Sequence, residues 1–223
     1  MYVSGIYVSG TVPDWIGIVG KKFFSKDERG RTFSMKKILV ANQKGGVGKS
    51  MTADELAFWF ERNGVPTAFL DLDSQGGTVH KTDRNPNAAV AIIDTPGALQ
   101  PQLKDWVRDA DVIVIPTRPT SRDIEPLWRM KKAVENSGKP VAYVINGWNR
   151  YRASRDFLSW FRGSIGEDAA VFRIPQSEAF VQAAAAGMSV VEYARRGPVV
   201  DAVRELCGVV AELAGIDPRG YAR

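Results

Sequence analysis

The stretch from Ile38 to Ser50 constrains this chain more than any other. A short apolar run, Ile38–Asn42, passes directly into Gln43-Lys44-Gly45-Gly46-Val47-Gly48-Lys49-Ser50. Residues Lys49–Asn63 then keep a helical period, with Ala53, Leu56, Ala57 and Phe60 on one face, and Asn63-Gly64 followed by Pro66 is a helix stop. Strand, glycine loop and helix in that order form a device for holding an anion. Three glycines let the backbone wrap a phosphate with its N–H groups inward. The helix starts at the loop, so the positive end of its dipole faces the same charge. In the pattern G-x-x-x-x-G-K-[ST], Lys49 neutralises the β and γ phosphates of a nucleotide and Ser50 offers a hydroxyl to Mg2+, which prefers oxygen ligands. Gln43 stands where that pattern has its first glycine. The alternative, a Gly-rich turn with incidental lysines, leaves the flanking strand and helix unexplained.

The remaining sequence repeats the alternation. Apolar runs at Thr67–Leu72, Ala88–Ile93, Val112–Ile115, Val141–Ile145 and Ala170–Ile174 read as strands. Segments at Ala98–Ala110, Arg122–Ser137, Arg152–Arg162, Ser177–Ala186 and Val199–Ala214 read as helices, the last burying Val199, Val203, Leu206, Cys207, Val210 and Leu213. The strand runs are nearly continuous in apolar residues, which means both faces are covered. The expected fold class is α/β, a doubly wound, mostly parallel sheet with helices on both faces. Ligands in such folds bind beyond the carboxyl ends of the strands.

Residues 1–34 keep no period for long and contain a near-repeat, Tyr2-Val3-Ser4-Gly5 then Tyr7-Val8-Ser9-Gly10. They read as a translated leader or a disordered N-terminal extension, with a small hairpin as the rival reading. The domain is then expected over 35–216, with a tail at 217–223. The single His80 leaves little room for a Ser-His-Asp triad or His-based zinc chemistry, and the single Cys207 excludes an internal disulfide and a cysteine-held cluster. His80 reads as a loop residue and Cys207 as a core residue. No apolar run approaches the roughly 18–20 residues that span a bilayer. The first twenty residues lack the basic start of a signal peptide. A cytoplasmic protein without a membrane partner is expected. A net charge of +5 permits contact with nucleic acid without demanding it.

Three other strand ends carry polar groups. Leu70-Asp71-Leu72-Asp73-Ser74-Gln75-Gly76 turns Asp71 and Asp73 to one side. Adjacent acids need a metal, water or a partner, or else form a solvated turn. Ile92-Ile93-Asp94-Thr95-Pro96-Gly97 places an acid after a buried strand and before a glycine turn. Ile145-Asn146-Gly147 offers an amide, suited either to reading a base or to capping a turn.

Lys44-Gly45-Gly46-Val47-Gly48-Lys49-Ser50 resembles the deviant Walker A motif of the ParA/MinD superfamily of P-loop NTPases, and the resemblance runs over about residues 36–214. It implies an ATPase using ATP and Mg2+. By position, Lys44 is the extra lysine that reaches the phosphates of a partner's ATP across a two-fold interface. Asp73, in a segment similar to the family's D-x-D-x-Q, positions the attacking water or the Mg2+ shell, with Asp71 in support. Ser50 and Asp94 complete the metal set, and Gly97 senses the γ-phosphate. Gly45, Gly46, Val47, Gly48, Lys49, Ser50 and Met51 bind the phosphates, while Asn146 and the Ile174-Pro175 turn border adenine.

Met51 departs from the usual Thr, the segment between Asp73 and Asp94 is compact, and no counterpart of the N-terminal DNA-reading domain of larger relatives is present. Relatives bind DNA without sequence preference when dimeric. Arg152, Arg155 and Arg162 on one helix face, and the pair Arg195-Arg196, are the corresponding candidates, with solvated basic faces as the alternative. The resemblance implies an ATP-dependent homodimer for plasmid or chromosome partitioning, nucleoid-associated and stimulated by a centromere-binding ParB-type adaptor. A conjugation accessory ATPase is the main alternative. A MinD-type positioning ATPase fits less well, because Pro218 breaks the C-terminal end. An ATP-dependent ligase is opposed by Lys44 and the two-aspartate segment.

Overall fold

The computed structural model describes residues 24–26, 32–98, 101–166 and 169–221. Strands β1 (Phe24–Lys26) and β2 (Thr32–Ser34) pair antiparallel, with Phe24 opposite Ser34, apart from the main sheet. They fall in the region for which a hairpin was the rival reading. The Tyr-Val-Ser-Gly near-repeat lies outside the described residues.

The main sheet contains β3 (Lys36–Val40), β4 (Thr67–Asp71), β5 (Val90–Asp94), β6 (Val112–Thr117), β7 (Val141–Trp148) and β8 (Ala170–Pro175). Their order is β4-β5-β3-β6-β7-β8 and every pair is parallel. The sheet is therefore wholly parallel, not mostly so. Among the described residues seven α-helices cover it: α1 (Lys49–Arg62), α2 (Leu103–Asp109), α3 (Ile124–Val134), α4 (Arg152–Ile165), α5 (Ala179–Ala185), α6 (Val190–Ala194) and α7 (Pro198–Ala214).

Alternate residues of each strand feed opposite cores. Ile38 and Val40 of β3 pack with Ala53, Leu56 and Phe60 of α1 and with Val203 and Leu206 of α7. Leu39 and Ala41 pack on the other side with Trp106, Leu127 and Phe161, from α2, α3 and α4. Each large, fully buried side chain such as Phe60 or Leu56 stabilises the fold by about 2–3 kcal/mol. Helix α1 ends as its sequence directs, with Gly64 at φ +72 turning the chain and Pro66 behind it. Helix α7 has Pro198 in its first turn and Gly215 at φ +69 after its last.

Two connections shape the rest of the fold. The segment from β4 to β5 holds no helix; it folds back on the sheet border, where Phe69 and Asp83 exchange backbone hydrogen bonds of 3.0 and 2.8 Å. Helix α6 lies between Ala186 and Val199, where no helix was expected. Its start is fixed by the buried Glu55 of α1, which accepts from Ser189 Oγ at 2.5 Å and Val190 N at 2.8 Å. Among the described residues no helix is long and apolar enough to cross a membrane.

Candidate functional site

The six strands of the main sheet point the same way, so the loops after them meet at one edge of it. There they enclose a cleft of about 760 Å³. The loop after β3 forms its floor. Gly46 and Gly48 adopt φ of +72 and +96, which only glycine takes without strain. A Cβ on Gly48 would stand 2.0 Å from Asn146 Nδ2, so the position excludes any side chain. Lys49 opens α1 and is nearly buried; its ammonium donates to the Lys44 carbonyl at 3.2 Å. Burial pushes its pKa down, and Asp94 and Asp73 oppose that effect.

Ser50 Oγ donates to Asp94 Oδ2 at 2.7 Å. Asp94 is fully buried, and its Oδ1 has no hydrogen-bond partner among the described residues. Burial raises its pKa to about 7, with the Ser50 hydrogen bond opposing the rise. A buried carboxylate with one oxygen lacking a donor and the other bound to the Ser50 hydroxyl, which itself lines the cleft, fits a hard cation. No cluster of three or more His, Cys, Asp or Glu is arranged to hold a metal among the described residues. Mg2+ takes one or two protein oxygens and completes its shell with phosphates and water.

Asp73 lines the cleft while Asp71 braces it from behind. The Asp71 carboxylate accepts from Asp73 N at 2.9 Å and from Thr78 Oγ1 at 2.7 Å. Gly97 sits where a Cβ would lie 2.7 Å from Gly45 Cα and 3.1 Å from Lys49 Nζ, so this turn rests directly on the phosphate loop.

At the other end, Asn146, Gly147, Pro175, Gln176 and Phe180 line the wall, with Met51 near them. The Asn146 amide donates to the Val47 carbonyl at 3.1 Å and accepts from Gly147 N at 2.9 Å. One of its N–H groups and its carbonyl oxygen are thus engaged within the chain, while Asn146 still lines the cleft. Val47 is buried beneath the loop. Arg118, exposed at the end of β6, also borders the cleft and was missed from the sequence. Its signal was its place, one residue beyond a parallel strand.

Lys44 is half-buried and pairs with Asp123 at 2.7 Å. Asp123 is buried at the start of α3 and is also bound by the Thr120 hydroxyl. Gln43 is tied to the same helix through Arg129 Nε at 3.2 Å. The predicted basic groups divide. Arg152 and Arg155 are exposed on α4 and Arg162 is half-exposed, while Phe157 and Phe161 are buried as expected. Arg152 pairs with Asp156 at 3.3 Å. Arg195, at φ +63, and Arg196 are exposed between α6 and α7. Helix α4 packs on one face of the sheet and α6–α7 on the other, so the two groups lie over opposite layers.

Residues 38–190 match the model of the CobQ/CobB/MinD/ParA nucleotide binding domain. Protein IncC of Escherichia coli is 47% identical over 51 residues, which are 23% of this chain and 14% of IncC. The chain spans well under two thirds of the first curated relatives it matches, 14% and 45% of their lengths. The ATP complex of McdA from Cyanothece superposes with a TM-score of 0.67 at 16% identity, covering 82% of this chain and 97% of that one. The septum site-determining protein MinD of Pyrococcus horikoshii, complexed with Mg-ADP, gives 0.61 at 15% identity over 81% and 98%. The glycine cradle, the acid-ended parallel strands and these matches agree: the chain belongs to the CobQ/CobB/MinD/ParA nucleotide-binding domain family.

Proposed function

We propose that this chain is an ATP-dependent switch ATPase of the partitioning type. The observation that carries the reading is the glycine cradle itself, in which Gly45, Gly46 and Gly48 line one cleft with Lys49, Ser50 and Asp73, and Ser50 is held from behind by the buried Asp94 carboxylate. Lys49 and the loop N–H groups hold the phosphates. Ser50 and Asp94, with Asp73 nearby, hold Mg2+. When bound, that ion neutralises charge on the β and γ phosphate oxygens. Asp73 orients the attacking water, and Gly97 offers its N–H where the γ-phosphate would end. The base rests between Asn146 and Pro175.

The free chain holds Lys44 on its own Asp123. In the proposed cycle Lys44 leaves that partner and reaches the phosphates of a second copy, so closure depends on ATP in both subunits. The closed homodimer doubles weak phosphate contacts from Arg152, Arg155, Arg162, Arg195 and Arg196 and binds DNA without reading sequence. A centromere-binding adaptor of the ParB class stimulates hydrolysis and resets the cycle.

The deciding experiment is titration of the purified chain with Mg-ATP, beside light scattering with ADP and with ATP. Lys49→Ala is expected to weaken Mg-ATP binding by about 100-fold or more, the loss of two charge-assisted contacts. A mass that doubles with ATP alone supports the switch. A wild-type chain that ignores Mg-nucleotide ends the reading.

A further inference from the structure

The loop from Leu72 to Asp83 brings Asp73, Ser74, Gln75 and Gly76 into the cleft. It has no helix of its own and bends through Gly76 and Gly77 at φ +70 and +135. Such a segment orders its side chains only if both ends are held. Asp71 holds the near end, as described above. The far end is held by α1. The two oxygens of Asp54 accept the backbone N–H of Val79 at 2.9 Å and of His80 at 3.0 Å. His80 Nδ1 lies 2.8 Å from the same carboxylate, and Nε2 lies 3.4 Å from Glu61. The ring stacks on Phe69 of β4 with centroids 5.1 Å apart and tilts against Phe58 of α1 at 4.2 Å.

Asp54 stands one turn beyond Ser50 on α1, so positions 50 and 54 share a helix face. The anchor of the Asp73 loop and the hydroxyl that meets Asp94 therefore ride on one rigid element. We propose that His80 is a positioning residue for Asp73, clamping the loop that carries this carboxylate in register with Ser50. The claim rests on the ATPase reading above and adds a residue that touches neither nucleotide nor metal. Asp54 and Glu61 are the charged groups that face the imidazole; β4 presents only Phe69. Burial alone would lower the imidazole pKa, but the hydrogen bonds and charges of Asp54 and Glu61 outweigh it and raise the pKa to about 9. The clamp is cationic at neutral pH. Above about 9 the neutral ring keeps its Nδ1–H on Asp54 while Nε2 becomes a lone pair, so the Glu61 contact turns repulsive and the clamp is held from one side only.

His80 is the chain's one histidine, so its ring protons titrate alone in a proton NMR spectrum. A midpoint near 9 is expected. Glu61→Gln, at a half-exposed position that leaves the fold intact, is expected to lower it by about half a pH unit or more. His80→Gln is expected to speed trypsin cleavage after exposed Lys81 by about fivefold, because the loop opens more often. In turnover, kcat of the wild type falls through the same alkaline pH as the imidazole titrates. In Glu61→Gln that limb moves down with the titration, while KM for Mg-ATP stays within about twofold. A midpoint near 6.5, unchanged Lys81 cleavage in His80→Gln, or a limb that stays put while the imidazole shifts overturns the clamp. A wild type that hydrolyses no nucleotide overturns the ATPase reading instead, and the first two readouts still decide the clamp.

Discussion

Gly97 touches Gly45 so closely that a methyl group there must push two loops apart, its Cβ meeting Cα at 2.7 Å and N at 2.9 Å. Neither neighbour is the end of a flexible side chain. Gly97→Ala is therefore expected to weaken Mg-ATP binding by about tenfold or more, with little loss of thermal stability, since the loops rather than the core absorb the shift; calorimetric titration measures the first and a melting curve the second. Asp94 gives a pH dependence of definite sign. Its folded pKa, about 7, lies above its unfolded value, so the folded chain binds the extra proton and stability falls as pH rises from about 4 to 7. Melting temperature is expected to drop over that window without metal, and Asp94→Asn is expected to flatten the drop. The phosphate loop and its acids were legible because each follows a strand at a fixed spacing. The role of His80 was not, because its partners Asp54 and Glu61 lie 26 and 19 residues away and only the folded loop brings them together.

Helix α1 links the phosphate loop to the core. Phe60 and Leu56 are fully buried against β3 and β5, and truncating Phe60 to Ala is expected to cost about 3–5 kcal/mol in urea unfolding, a lost ring plus a cavity. The same helix supplies Glu55 to the start of α6 and Asp54 to the Asp73 loop, so its polar residues organise segments far along the chain. Most strand ends could be placed from sequence to within a residue or two, because runs buried on both faces leave little choice; β7 runs three residues past the expected Ile145, to Trp148, where its residues are only half-buried. Helix α6 could not. It is only five residues long and its start depends on a carboxylate 135 positions upstream, which no local period records. The segment after β4 looked compact because no helix fits in it, and the chain crosses between parallel neighbours as an irregular loop.

For the molecule as a whole, the two basic groups over opposite layers make separable expectations. If both meet DNA in an ATP-closed dimer, replacing Arg152, Arg155 and Arg162 by Ala and replacing Arg195 and Arg196 by Ala should each lower the salt dependence of binding, by roughly one unit of slope per lost phosphate contact. Mobility shifts with ATP across a salt series measure this, and an unchanged slope removes the group concerned from the interface. The borders of the sheet carry a consequence of another kind. Strand β4 has its outer backbone engaged at Phe69 by Asp83, and β8 ends in Pro175 with exposed Arg173 lying 5.4 Å from the Trp148 ring. Crowded copies are thus denied a ready strand on which to zip into ribbons. On the β4 side that protection lasts only while the following loop stays down, so a chain whose histidine latch has been cut is expected to stain sooner with an amyloid dye on prolonged warming.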